Sequence, residues 1–262
     1  MSFKYTLSHY LVLAQRVWVI PLILTVACKH DPGPEPPVFA QPDLLNNASF
    51  ETGWDGFQNN NGGPPDGTGG ATIVRSTEQT FGGSWTAKST LPPGQSANRF
   101  NYTYGTRGHV FVRFYYYATN HPTDNHKWIR FQQAGFGPLI GGLFTQDPGQ
   151  VPHWSFFNST PGNAANRFDD LGLTLFNSWH YWEIEYDNSN ARVRFWHDGV
   201  TTVPTVNPTS NNFINGGWLH SGGGPDVDPG MIVLDGTVNA GNVNTAVYYY
   251  DRIAISTQRI GP

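Results

Sequence analysis

The chain has 262 residues, 38% of them hydrophobic and 15% aromatic, enough for one sizeable core in an all-β domain. Only 13% are charged, and 30 glycines with 20 prolines suit many short strands joined by turns and argue against a helical bundle. The net charge of −4 leaves no basic footprint, so nucleic acid is excluded as a partner.

The N-terminal segment places Lys4 and Arg16 ahead of an eleven-residue apolar run, 17–27. A bilayer span needs about 20 apolar residues, so this run suits a signal-peptide core. It ends LTVAC at Cys28, the single cysteine, which excludes an intramolecular disulfide. Leu24 to Cys28 resembles a bacterial lipobox, apart from the less usual Thr25. The resemblance implies removal of residues 1–27 and lipidation of Cys28. With Lys29 next, it further implies an outer-membrane or cell-surface lipoprotein that meets the membrane only through its lipid anchor. Cleavage near Ala27 to give a secreted protein is the alternative. Residues 28–42 hold five prolines and read as a stiff linker.

Residues 43–262 read as one domain and, on the expected scale, one monomer. Strand signals fall at 71–76, 84–89, 109–118, 127–133, 139–144, 154–158, 171–176, 231–234 and 246–256. Turn clusters separate them, and no window carries a helical period. This pattern predicts a sandwich or jelly roll. Segments 59–70 and 207–229 read as long loops, a place where function often sits.

The stretch 179–199 reads as a hairpin. Period-two alternation puts Trp179, Tyr181, Glu183, Glu185 and Asp187 on one face and His180, Trp182, Ile184 and Tyr186 on the other. Asn188 to Asn190 supply the turn, and Asp198-Gly199 is a second turn signal. Same-face neighbours on a strand lie near the roughly 5–5.5 Å separation that a retaining glycoside hydrolase needs between its carboxylates. Glu183, Glu185 and Asp187 therefore form one candidate catalytic row. A framework acid at Glu183 is the competing reading.

Five stretches, the hairpin among them, carry a resemblance. Residues 47–54, NASFETGW, resemble the N-x-G/S-F-E-x-G opening of secreted carbohydrate-active jelly rolls. The hairpin resembles the W-x-x-x-E … W-x-D-G hairpin of concanavalin A-like lectin/glucanase domains. Residues 250–261 resemble the last strand of the polysaccharide-lyase-like branch of that superfamily, and 109–118 and 126–131 resemble its Y-V-R-F-Y and K-x-x-R-F strands. The resemblance covers about residues 45–262 and implies a concanavalin A-like jelly-roll β-sandwich that engages polysaccharide. The superfamily holds lyases, hydrolases and pure lectins, so activity must be argued from the site.

A polysaccharide lyase needs a cation to neutralise a uronate carboxylate, a base, and an acid for the leaving oxygen. Alternation puts His109, Arg113, Tyr115 and Tyr117 on one face, and His126, Trp128, Arg130 and Gln132 on another. If these strands adjoin, the two faces line one groove. Arg113 or Arg130 would then neutralise the uronate, and Tyr115, Tyr117 or His126 would move protons. Lys127 alternates away but matches the family's strand lysine. Gln132, Trp154 and Tyr181 are expected to bind sugar. The main alternative is a lectin-like lipoprotein without chemistry, and the laminarinase-type hydrolase comes third. No cofactor is required. A structural calcium ion would find hard oxygen ligands at Asp226 and Asp228 with Glu51 or Asp251. The histidines show no zinc spacing.

Overall fold

The computed structural model describes residues 43–132, 176–187, 194–199, 230–234 and 236–262 in full. It describes 138–145, 153–158, 166–168, 192–193, 200–202, 213–214 and 217–219 as strand backbone only. All of these belong to one compact unit, Phe39–Pro262. Among the described residues every regular element is a strand. In chain order these are β1 (Leu44–Ala48), β2 (Asp66–Thr68), β3 (Thr72–Ser76), β4 (Thr86–Leu91), β5 (Ser96–Thr103) and β6 (His109–Ala118). Next come β7 (His126–Gln132), β8 (Pro138–Thr145), β9 (His153–Asn158), β10 (Asn166–Phe168), β11 (Trp179–Asp187) and β12 (Arg192–His197). The last are β13 (Val200–Thr202), β14 (Phe213–Ile214), β15 (Gly217–Leu219), β16 (Met231–Leu234), β17 (Thr237–Val238) and β18 (Ala246–Ser256).

They form two sheets. One runs β14-β15-β12-β11-β6-β18-β4-β3, with β1 added on β18 and β13 on β12. The other runs β10-β9-β8-β7-β16-β5-β17, with β2 added on β5. The first sheet forms because β6, β11 and β18 are long β-branched and aromatic strands whose inner residues are apolar. Phe114 and Trp182 from this sheet pack on Trp128 of the other, with ring centroids 5.3 and 5.8 Å apart. Tyr186 meets Phe131 at 5.9 Å, and Tyr250 meets Phe100 at 6.0 Å. These rings are nearly all fully buried and form the centre of the core between the sheets.

Simple alternation holds in β6 and β11, which pair from Trp179↔Tyr117 to Asp187↔His109 without a bulge. It breaks in β7, where the register against β8 shifts between Lys127 and Ile129, so that Trp128 and Ile129 are both buried. It breaks again in β18 between Asp251 and Ala254, where Arg252 takes a left-handed φ of 46°. The expected strand at 171–176 lies outside the described residues, except for Phe176, which makes an isolated bridge to Ala118. The expected loops at 59–70 and 207–229 contain short strands, β2 in the first and β14 and β15 in the second.

Candidate functional site

The expected groove between the Arg113 and Arg130 strands does not exist, because β6 and β7 belong to opposite sheets. Arg113, Tyr115 and Tyr117 face outward from one sheet, while Arg130 and Gln132 line a cavity on the other. His126 does not share the Arg130 face. The bulge after Lys127 sends His126 and Trp128 into the core, with His126 fully buried against the Tyr248 ring at 5.2 Å. Lys127 is half-buried, and its carbonyl accepts the N–H of Gly236 at 2.8 Å.

The cavity on the second sheet has a volume of about 450 Å³. Pairing of β16 with β5 and β7 sets Asn101, Val233 and Arg130 in one row, and Thr103, Met231 and Gln132 in the next. The loop before β2 forms its rim. Gln58 and Asn101 exchange backbone hydrogen bonds at 2.8 and 3.0 Å, and Asn101 Nδ2 donates to Asn60 Oδ1 at 2.6 Å. Asn59 folds that loop by accepting the N–H groups of Asn61 and Gly63.

Two guanidinium groups face this amide-rich lining. Arg99 pairs loosely with Asp66 at 3.6 Å. Arg130 is largely enclosed, and burial lowers its pKa from the ordinary arginine value. Its Nε makes no hydrogen bond among the described residues. A partly desolvated guanidinium in a cavity lining is suited to an anionic ligand, and a carboxylate matches its planar fork. Gly236 keeps it in place: a Cβ there would lie 2.9 Å from Arg130 Nη2.

On the first sheet the carboxylate row is not an open surface. Glu183, Glu185 and Asp187 are all essentially inaccessible to solvent. Glu183 receives the backbone N–H groups of Ile260 at 2.6 Å and Gly261 at 3.2 Å. Arg113 completes this clasp by donating to the Gly261 carbonyl at 2.9 Å. Glu185 is held by Arg194 and by His109 at 2.9 Å. Tyr181 is buried beside Tyr115, at 5.2 Å between ring centroids. Burial raises the Tyr115 pKa and pushes Tyr181 up to about 12, which removes both from the range of a base near neutrality.

Glu51 and Asp251, named above as calcium ligands, line a second cavity of about 380 Å³ with Asn47, Ser49, Arg113 and Arg252. Burial pushes Asp251 up to about 6. Asp226, Asp228, Cys28 and the side chain of Trp154 lie outside the described residues.

Strand β5 contributes Arg99 and Asn101 to the site, and the sequence reading passed over it. Its inward positions include Ser96 and Asn98, polar residues that break the apolar alternation. Asn98 is buried because Ser89 Oγ accepts its amide at 2.6 Å. The one sequence signal was the pair Phe100 and Tyr102 at alternate positions between turn residues.

Two packed antiparallel sheets with this order define a jelly-roll β-sandwich. Solved structures show the same fold. One is a cellulose-induced protein, Cip1, with TM-score 0.57 and 16% identity over 82% of this chain and 99% of that one. Another is the endo-β-1,4-glucuronan lyase of the fungus Trichoderma reesei, with TM-score 0.54 and 14% identity over 83% of this chain and 96% of that one. No protein-family model matches the chain, and no curated protein matches its sequence.

Proposed function

We propose that the protein engages an acidic, uronate-containing polysaccharide in the cleft formed by β5, β16 and β7, as a polysaccharide lyase or a binder derived from one. The observation that carries this reading is the largely enclosed Arg130 guanidinium in the cavity lining, together with Gln132, Asn101 and Arg99. A uronate carboxylate would take the guanidinium fork of Arg130, and the carboxamides of Gln132, Asn101 and Gln58 would bind ring hydroxyls. Neutralising that carboxylate acidifies the neighbouring C–H, the first requirement of β-elimination. The described lining thus supplies the groups that hold and polarise the sugar acid. The glucuronan lyase with the same fold acts, by its name, on a polymer of such acids.

The reading also places the protein outside the cytoplasm, as a monomeric lipoprotein anchored through Cys28. A calcium ion would be a structural addition. Glu51, Asp251, Asn47 and Ser49 bring oxygen donors to one cavity, and a cation there would offset the burial that pushes Asp251 up. Incubation with polyglucuronate or alginate tests the function. Binding together with rising absorbance from unsaturated uronate products is expected of the lyase, and binding alone of the derived binder. Failure to bind any uronate polymer contradicts both.

A further inference from the structure

At the end of β11, away from the cleft, three side chains form a hydrogen-bonded chain. Ser178 Oγ lies 2.7 Å from His180 Nε2, and His180 Nδ1 lies 2.7 Å from Asp198 Oδ2. Hydroxyl on Nε2 and carboxylate on Nδ1 is the order of a nucleophile, its general base, and the acid that orients the base. We propose that Ser178, His180 and Asp198 form an acyl-transfer site that hydrolyses small carboxylic esters, such as acetyl groups carried on sugar hydroxyls. This goes beyond the uronate-binding reading and does not depend on it.

Each member is positioned by its surroundings. Asp198 sits at φ 48° and Gly199 at φ 83°, in the tight turn from β12 to β13. Its Oδ1 accepts the Tyr181 N–H at 3.0 Å, and its own N–H donates to the Tyr181 carbonyl at 3.0 Å. Burial raises the Asp198 pKa, but the hydrogen bonds from His180 and Tyr181 outweigh it and hold the group below the ordinary carboxylate range. The orienting acid is therefore ionised at neutrality. The His180 ring stacks on His197, with centroids 5.5 Å apart and planes 18° apart, and has Tyr116 on another side at 6.1 Å.

The serine side of the site is open. Ser178 is exposed and follows Asn177, which takes a left-handed φ of 59° as the chain turns into β11. Among the described residues, neither the Ser178 backbone N–H nor the Asn177 Nδ2 makes a hydrogen bond, although the Asn177 N–H donates to Ala118 and Asn177 Oδ1 faces the Tyr117 hydroxyl at 3.5 Å. Donors of this kind, on Ser178 itself and on its chain neighbour Asn177, are the type that stabilises a developing oxyanion. Trp179 and Tyr117, with ring centroids 5.7 Å apart and planes 57° apart, stand next to the turn and offer an aromatic corner against which a sugar ring can pack.

In the reaction Ser178 Oγ bonds to the ester carbonyl carbon while its proton passes to His180 Nε2. The tetrahedral adduct collapses, the C–O bond to the alcohol breaks, and the alcohol leaves with that proton. Water then attacks the acyl-serine, gives a proton to His180, and releases the carboxylic acid as Ser178 takes the proton back. Ester and water become alcohol and acid, with no other reactant.

The test uses the full chain with p-nitrophenyl acetate and a fluorophosphonate label, beside Ser178→Ala and Asp198→Asn. Ser178 is exposed, so its alanine variant keeps the fold, and circular dichroism checks the asparagine variant. Expected is hydrolysis on the order of 10²-fold or more above Ser178→Ala, reduced in Asp198→Asn, with the label mapped to Ser178. Equal hydrolysis by wild type and Ser178→Ala, or no label on Ser178, overturns the proposal. Uronate binding by Ser178→Ala remains intact in either case, which keeps the two readings separate.

Discussion

The backbone N–H of Ile260 donates to Glu183 Oε1 at 2.6 Å, so the C-terminal tail is bonded onto the outer face of the sheet through a buried acid. Ile260 itself packs there with Phe111, Trp196 and Ala254. The carboxylate row that resembles a hydrolase strand thus anchors the end of the chain.

Replacing Glu183 by alanine leaves the Ile260 and Gly261 N–H groups without their acceptor. The expected loss is about 1–3 kcal/mol, the cost of stranding buried donors that had bonded a charged group. Urea unfolding measures it. Wild-type protein is expected to release no reducing ends from neutral β-glucan. Release abolished by Glu183→Gln would restore the hydrolase reading.

Gly236 controls the cleft from behind. A Cβ at this position would lie 2.7 Å from the Lys127 carbonyl oxygen and 2.9 Å from Arg130 Nη2. The backbone carbonyl cannot swing away, so Gly236→Ala must shift Arg130 or the strand. We expect a loss of about 1–3 kcal/mol in stability together with weakened uronate binding. Gly53→Ala, where nothing lies within 4 Å of the added carbon, serves as the control and should match wild type in both. Calorimetric titration and thermal unfolding on the pair decide it.

Two buried groups give opposite dependences on pH. Burial pushes His197 down to about 4 from its ordinary 6.5, so between these values the unfolded chain takes up a proton that the folded chain refuses. Its contribution to stability is lost as pH falls through that window. Asp251 is pushed up to about 6 from 3.8, so the folded chain takes up its proton first, and stability rises as pH falls from about 6 towards 3.8. His197→Gln should therefore gain stability relative to wild type on going from about pH 7 to about pH 5, and Asp251→Asn should lose it. Unfolding free energies at the two pH values check this, and equal slopes in all three proteins would refute it.

The sequence carried the fold further than the site, for a physical reason. Alternation depends on unbroken register, so it placed every side chain of β6 and β11 on the observed face. One bulged residue in β7 separated His126 from Arg130, and no local signal marks that bulge. Sheet membership was also hidden. Only seven residues, 119–125, join β6 to β7, yet β6 is fixed by pairing with β11 and β18, far along the chain, and β7 by pairing with β16. Strand β5 was missed because buried Asn98 and Ser96 are tolerated only where tertiary partners such as Ser89 satisfy them. Ser178, His180 and Asp198 meet only once the β11–β12 hairpin closes, so their spacing in the chain shows nothing.

The central claim is that the acidic glycan is held in the cleft at Arg130 and not on the opposite sheet at Arg113. The most direct measurement is the affinity of polyglucuronate for wild type, Arg130→Ala and Arg113→Ala at fixed ionic strength. Loss of a charge-assisted contact worth about 1.5–3 kcal/mol predicts a roughly 10- to 100-fold weaker Arg130→Ala, with Arg113→Ala close to wild type. The reverse order, or equal affinity in all three proteins, would contradict the account.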